Sequence, residues 1–105
     1  MRGDVHRLPD DRSARGHEQH GPRYGVVVQS SDLPLSTLLI SPTSTSAQDA
    51  GWRPVVELDQ GPTRVLTEQT KAVRRDRLGA PLEQISLAEQ QAVERALRLV
   101  LDLGP

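Results

Sequence analysis

RYGVVVQSSDLPLSTLLISPTSTSA, residues 23–47, carries two apolar runs, Val26-Val27-Val28 and Leu38-Leu39-Ile40, separated by a polar turn with Asp32 and Pro34. Short apolar runs bounded by turn residues read as buried strands, and the β-branched Val and Ile favour strand over helix. Two such runs in succession predict neighbouring strands of one small sheet. The chemistry sits at their outer ends: Arg23 stands at the start of the first strand, and Thr43-Ser44-Thr45-Ser46 follows Pro42 at the end of the second. Antiparallel pairing brings the start of one strand beside the end of the other. A guanidinium and several hydroxyls then become neighbours, and both kinds of group hold phosphate oxygens.

Upstream, Val5-His6-Arg7-Leu8 alternates as a short strand closed by Pro9, and residues 9 to 22 read as a long polar loop. Downstream, Pro54 to Leu58 reads as a further core strand, with Pro54 at its first position, and Asp59-Gln60-Gly61-Pro62 as a turn. Arg64 to Thr67 and Thr70 to Val73 predict one or two more strands broken near Glu68-Gln69, and Arg74 to Leu78 a helical turn closed by Gly79. Ser86 followed three residues later by Glu89 forms a capping-box pattern. Ala92, Val93, Ala96, Leu97, Val100 and Leu101 then repeat at helical spacing as one apolar stripe. Short strands followed by one amphipathic helix predict a mostly β fold: a single domain over residues 1–105, barrel-like, with a C-terminal helix packed on it.

Composition narrows the function. Aromatic residues make up 2% of the 105, so the core must be Leu, Val and Ile, and a modest core of this kind favours stabilisation through a second subunit. There is no Cys, hence no disulfide framework and no thiolate metal site. No apolar run approaches the ~18 residues that span a bilayer, and the N-terminal stretch lacks the apolar core of a signal peptide. A soluble cytoplasmic protein is the expectation. The net charge of −1 argues against general coating of nucleic acid but leaves room for a small site that grips a few phosphates. All three His and five of the Arg lie in the first 23 residues.

His17 and His20 fall in GHEQHG, one position too close for the HExxH metalloprotease pattern and flanked by helix-breaking Gly. A zinc site on His6, His17 and His20 is the metal alternative, and it ranks below imidazoles that are surface-exposed or contact RNA. No Gly-rich phosphate loop is present, and no Ser stands in a nucleophile elbow.

The order of several short features resembles the MazF/PemK family of bacterial toxin endoribonucleases. They are Arg2-Gly3-Asp4, then Gly16-x-Glu18-Gln19 with Arg23 five positions after Glu18, then Val26 to Val28 and Pro42 with hydroxyls directly behind it. Glu68-Gln69 follows where the family has Asp-Gln, then Arg77-Leu78 and the Leu97-x-x-x-Leu101-x-Leu103 ending. The resemblance covers nearly the whole chain. It implies an SH3-like β-barrel with helices, a homodimer, cleavage of single-stranded RNA without a metal or other cofactor, and neutralisation by a MazE-like antitoxin with an acidic disordered segment. Carried across, Arg23 matches the catalytic arginine and Ser44 the position usually held by a catalytic threonine. Glu18 and Gln69 match positions that line the site, with His17, His20, Thr43 and Thr45 as further candidates for contact with RNA. Two residues depart from the pattern. Tyr24 stands where the family usually has proline, and Ser44 keeps the hydroxyl without the methyl that stiffens χ1.

Alternation along the strand sets Thr43 and Thr45 on the face opposite Ser44. In RNA cleavage by 2′-OH attack, Arg23 would stabilise charge on the phosphate, since its pKa of about 12.5–13.8 suits it poorly to donating a proton. Ser44 would hydrogen-bond a phosphate oxygen. His17 and His20 have the intrinsic pKa of a proton acceptor, while Glu18 would orient Arg23. A second reading keeps the scaffold but not the chemistry: a gyrase-poison type of toxin that binds its target through the C-terminal helix, which leaves Glu18, Arg23 and Ser44 without a task. A third is a plain SH3-like interaction module, for which so aromatic-poor a chain offers no aromatic-lined groove.

Overall fold

A computed structural model describes residues 1–9 and 23–104. The longest strand among the described residues, Thr37–Ser44, organises them. β1 (Asp4–Arg7), β2 (Tyr24–Val27) and β3 (Thr37–Ser44) are followed by β4 (Val55–Leu58), β5 (Gly61–Val65), β6 (Lys71–Arg74), β7 (Glu83–Gln84) and the helix α1 (Leu87–Leu101). β2 pairs antiparallel with β3 in the register Gly25 to Pro42, Val26 to Ser41 and Val27 to Ile40. The other edge of β3 is shared, its first half taken by β6 and its last two residues by β5. The full order is β4-β5-β3-β2-β1-β7, with β6 beside β3. The result is a small, nearly closed barrel with a C-terminal helix.

Two cores lie on opposite faces of the β1–β2–β3 layer, as strand alternation requires. Val5, Val26, Val56, Leu58, Val65, Ile85 and Val93 fill the barrel under α1. Leu8, Val27, Leu38, Ile40 and Val73 form the second cluster, with Leu78 packed against it. Gly25 is needed where these layers meet, since a Cβ there would stand 2.3 Å from Ile40 Cγ2. The β2–β3 pairing is carried toward its turn by the buried Gln29, whose amide donates to the Thr37 carbonyl and accepts from Leu39 N–H.

The barrel's seam is closed by side chains. β4 is an edge strand, and one of its outward amides and the amide just beyond it meet carboxylates: Glu57 N–H donates to Glu89 at 2.6 Å, and Asp59 N–H to Glu83 at 3.2 Å. Glu89 also completes the expected capping box with Ser86. Burial works to raise the Glu89 carboxyl, but the amides of Ser86 and Glu57 and the Ser86 side chain together hold it below the ordinary glutamate value. A depressed folded-state pKa adds stability that is fully present above the unfolded value and lost as pH falls through the folded one. Glu89→Ala is therefore expected to cost about 1–2 kcal/mol near neutral pH, through the lost cap and the orphaned amide. Urea unfolding of both proteins at pH 7 and near pH 3 checks this, with the gap narrowing in acid.

Two expectations need correction, and one strand was not expected. The turn after β4 is only Asp59-Gln60, because Gly61 and Pro62 already belong to β5. Pro62 is tolerated there since its missing N–H would point to the side of β3, which ends at its pairing with Arg64. β7, only Glu83-Gln84, has no apolar pattern to announce it. The apolar stripe of α1 is buried at Val93 and Ala96, whereas Val100 and Leu101 are exposed. Among the described residues no helix is long and apolar enough to cross a membrane.

Candidate functional site

Extending the β2–β3 register by two residues sets Arg23 opposite Ser44 and Tyr24 opposite Thr43. Arg23 is held in place by its backbone, whose carbonyl accepts from Leu8 N–H at 2.8 Å. The start of β2, the end of β3 and the tip of the β4–β5 hairpin surround one cleft of about 150 Å³. Its walls are Arg23, Tyr24, Thr43, Ser44, Thr45, Gln60 and Thr63. Pockets that enclose a whole small ligand run to ~300–1,000 Å³. This one accommodates part of a larger molecule.

The cleft's polar groups differ in how they are employed. Thr43 is buried, and its hydroxyl donates to the Tyr24 carbonyl at 3.1 Å, tying β3 to β2. Ser44 Oγ accepts from Ser46 N–H at 3.2 Å and lies 3.3 Å from Ser46 Oγ, so the hydroxyl is oriented by the turn that ends β3. Thr45 is exposed. The Nε of Arg23 is buried and has no hydrogen-bond partner among the described residues. A buried donor left without an acceptor costs about 1–3 kcal/mol, and an arriving phosphate oxygen offers the acceptor.

Residues 1–101 match the family model described as PemK-like, MazF-like toxin of type II toxin–antitoxin system. The chain belongs to this family. A protein of Mycobacterium tuberculosis (strain H37Rv), named as a presumed toxin, is 36% identical over 104 residues, covering 98% of each chain. Among solved structures, a mycobacterial endoribonuclease in complex with its cognate antitoxin superposes with a TM-score of 0.81 at 17% identity, over 100% of this chain and 97% of that one. The M. tuberculosis toxin MazF-mt6 gives 0.79 at 16% identity, covering 97% and 99%. MazF from Deinococcus radiodurans gives 0.76 at 19%, covering 96% and 94%. These structural likenesses establish a shared fold.

Of the residues that the MazF/PemK resemblance singled out, Arg23, Thr43, Ser44 and Thr45 share the cleft. Thr43 and Thr45 join Ser44 there, although alternation puts them on the other face; β3 ends at Ser44, so Thr45 already lies beyond the strand. Gln69 is not among its walls: it is exposed in a 3-10 turn, Thr67–Gln69, beside Glu68, which pairs with Arg53 at 3.1 Å. Glu18, His17 and His20 lie outside the described residues. His6 is a core residue, with Nδ1 3.0 Å from the Gly79 carbonyl, a contact that only a protonated Nδ1 can make.

Sequence reasoning missed Tyr24, Gln60 and Thr63 as cleft walls. It also missed Arg64, which lies opposite Ser44 on β5 and is held by Asp49 at 3.2 Å and by the Arg53 carbonyl. Tyr24 comes with Arg23 at the start of β2, whereas only the long-range pairing of β3 with β5 brings Gln60 and Thr63 to the cleft and Arg64 beside Ser44, and no local pattern marks them.

Proposed function

We propose that this chain is an endoribonuclease toxin that cuts single-stranded RNA without a metal, acts as a homodimer in the cytoplasm, and is restrained by an acidic antitoxin. The observation that carries the reading is the pairing of Arg23 with Ser44 in one cleft, with a buried guanidinium N–H that has no partner among the described residues.

In the reaction, the ribose 2′-OH loses its proton and attacks the adjacent phosphorus. The P–O5′ bond breaks, and the 5′-oxygen takes up a proton. The products are a 2′,3′-cyclic phosphate and a 5′-OH end. Arg23 faces the nonbridging oxygens, where charge accumulates, and its planar fork supplies fixed donors at no reorganisation cost. Ser44, already oriented by Ser46, hydrogen-bonds a phosphate oxygen and holds the chain in line. His17 and His20 are the candidates for the proton acceptor by their intrinsic pKa, with Glu18 orienting Arg23 and Gln69 contacting RNA.

The homodimer is supported by apolar surface that one chain leaves open. Leu33, Leu35 and Leu39 near the β2–β3 hairpin, and Leu99, Leu101 and Leu103 at the end of α1, are each 44% exposed or more. The antitoxin is supported by the family and by the antitoxin complex of the structurally similar mycobacterial endoribonuclease. The sequence of residues 9–22, with Arg12, Arg15 and two His leading to Arg23, suits an acidic segment that orders on binding. Expression in a bacterial host tests the reading. The wild-type chain arrests growth, Arg23→Ala does not, and a co-expressed acidic antitoxin restores growth. Harmless expression of protein that cleaves RNA in vitro would sink the toxin assignment.

A further inference from the structure

The Arg23 and Ser44 side of the cleft suits a phosphate, which is the same in every nucleotide. The opposite wall has different chemistry. Gln60 sits at the tip of the β4–β5 hairpin, and its amide carries both a donor and an acceptor. That combination matches the edge of a nucleobase and is poorly suited to an all-acceptor phosphate.

Turn chemistry does not explain a glutamine here. Only two residues, Asp59 and Gln60, separate Leu58 from its partner Gly61. The positive φ that closes so tight a hairpin is taken by Gly61, at 113°. Position 60 keeps negative φ, so it has no need for the Gly or Asn that tight turns usually select. Its side chain is free to be chosen for what it touches.

The hairpin tip is also fixed in space, which a reading residue requires. Asp59 N–H, immediately before Gln60, donates to both oxygens of Glu83 at 3.2 and 3.3 Å. Glu57 N–H donates to Glu89 at 2.6 Å, anchoring the same strand to the first turn of α1. These seam hydrogen bonds fix the backbone from which the Gln60 side chain projects. The cleft has room for part of an RNA chain only, which places Gln60 near the nucleotide whose phosphate Arg23 grips.

We infer that Gln60 is a specificity-determining residue, reading by hydrogen bonds the edge of a base next to the scissile phosphate; this rests on the proposed ribonuclease activity. The test uses wild-type, Gln60→Ala and Gln60→Glu full-length proteins on a randomised single-stranded RNA pool. The cut ends are sequenced, and kcat/KM is measured on the preferred site and on its single-base variants. Thermal unfolding of each protein accompanies the series. A side-chain amide that reads a base edge contributes about tenfold or more of discrimination. Gln60→Ala is expected to flatten the preference at one position by that factor, and Gln60→Glu, with its donor replaced by an acceptor, to change which base is preferred there. An equal loss of rate on every sequence, or an unchanged preference in variants with wild-type unfolding temperature, overturns the inference while leaving the ribonuclease reading standing. A wild-type protein that cuts no RNA removes both.

Discussion

Replacing Arg23 with alanine is expected to lower RNA cleavage by about 10²–10³, the usual cost of removing one preorganised donor, while stability holds or rises. The two effects have one cause. Among the described residues the guanidinium's buried Nε has no acceptor, so there it carries a desolvation cost that a bound anion relieves. Deleting the side chain removes both the cost and the stabilisation of the transition state. A purely structural arginine behaves oppositely, losing stability along with rate. Arg23→Lys is expected to remain poor, because an ammonium is a point charge without the planar fork. Steady-state cleavage and urea unfolding on the same preparations separate these cases, and a lysine variant near the wild-type rate would show that charge alone suffices.

The second large effect is at Ser44. Ser44→Ala is expected to reduce cleavage by about 10²–10³, with Ser44→Thr retaining activity. Thr43→Ala acts on a different quantity. Its hydroxyl is committed to the Tyr24 carbonyl, so its loss is expected to cost about 1 kcal/mol of stability with a mild effect on rate. Thr45 is exposed at the end of β3, and Thr45→Ala should be milder still. If Thr43→Ala is the inactive variant at unchanged stability, the phosphate-binding hydroxyl belongs to Thr43, one residue from the assignment made here.

The central hairpin was legible because its signals are local and agree with one another. Val26 to Val28 and Leu38 to Ile40 are β-branched or aliphatic runs on either side of a turn, and their antiparallel pairing alone puts Arg23 next to Ser44. The capping box at Ser86 and Glu89 was equally plain, since both partners lie within four residues. What escaped depends on distant pairing. Glu83-Gln84 forms a strand because β1 offers an edge, and its own side chains say nothing of it. Gln60 and Thr63 reach the cleft because β5 packs beside β3, and Arg64 meets Ser44 for the same reason. Val100 and Leu101 continue a helical stripe beyond the surface one chain can cover, so periodicity marks the face correctly and overstates its burial.

The dual role of Glu89 has a parallel in Glu83. Both carboxylates close the barrel by accepting amides of the β4–β5 hairpin, Glu89 from β4 and Glu83 from the turn, and both hold the hairpin that forms a wall of the cleft. Barrel closure and site geometry are thus coupled through the same few hydrogen bonds. The central claim, that an arginine and a hydroxyl cut RNA here by 2′-OH attack, is tested most directly by incubating the purified protein with mixed single-stranded RNA in EDTA and determining the chemistry of both new ends. Fragments bearing 5′-OH and 2′,3′-cyclic phosphate ends, absent with Arg23→Ala, are the predicted result. Cleavage that EDTA abolishes and zinc restores, or fragments bearing 5′-phosphate and 3′-OH ends, would contradict it.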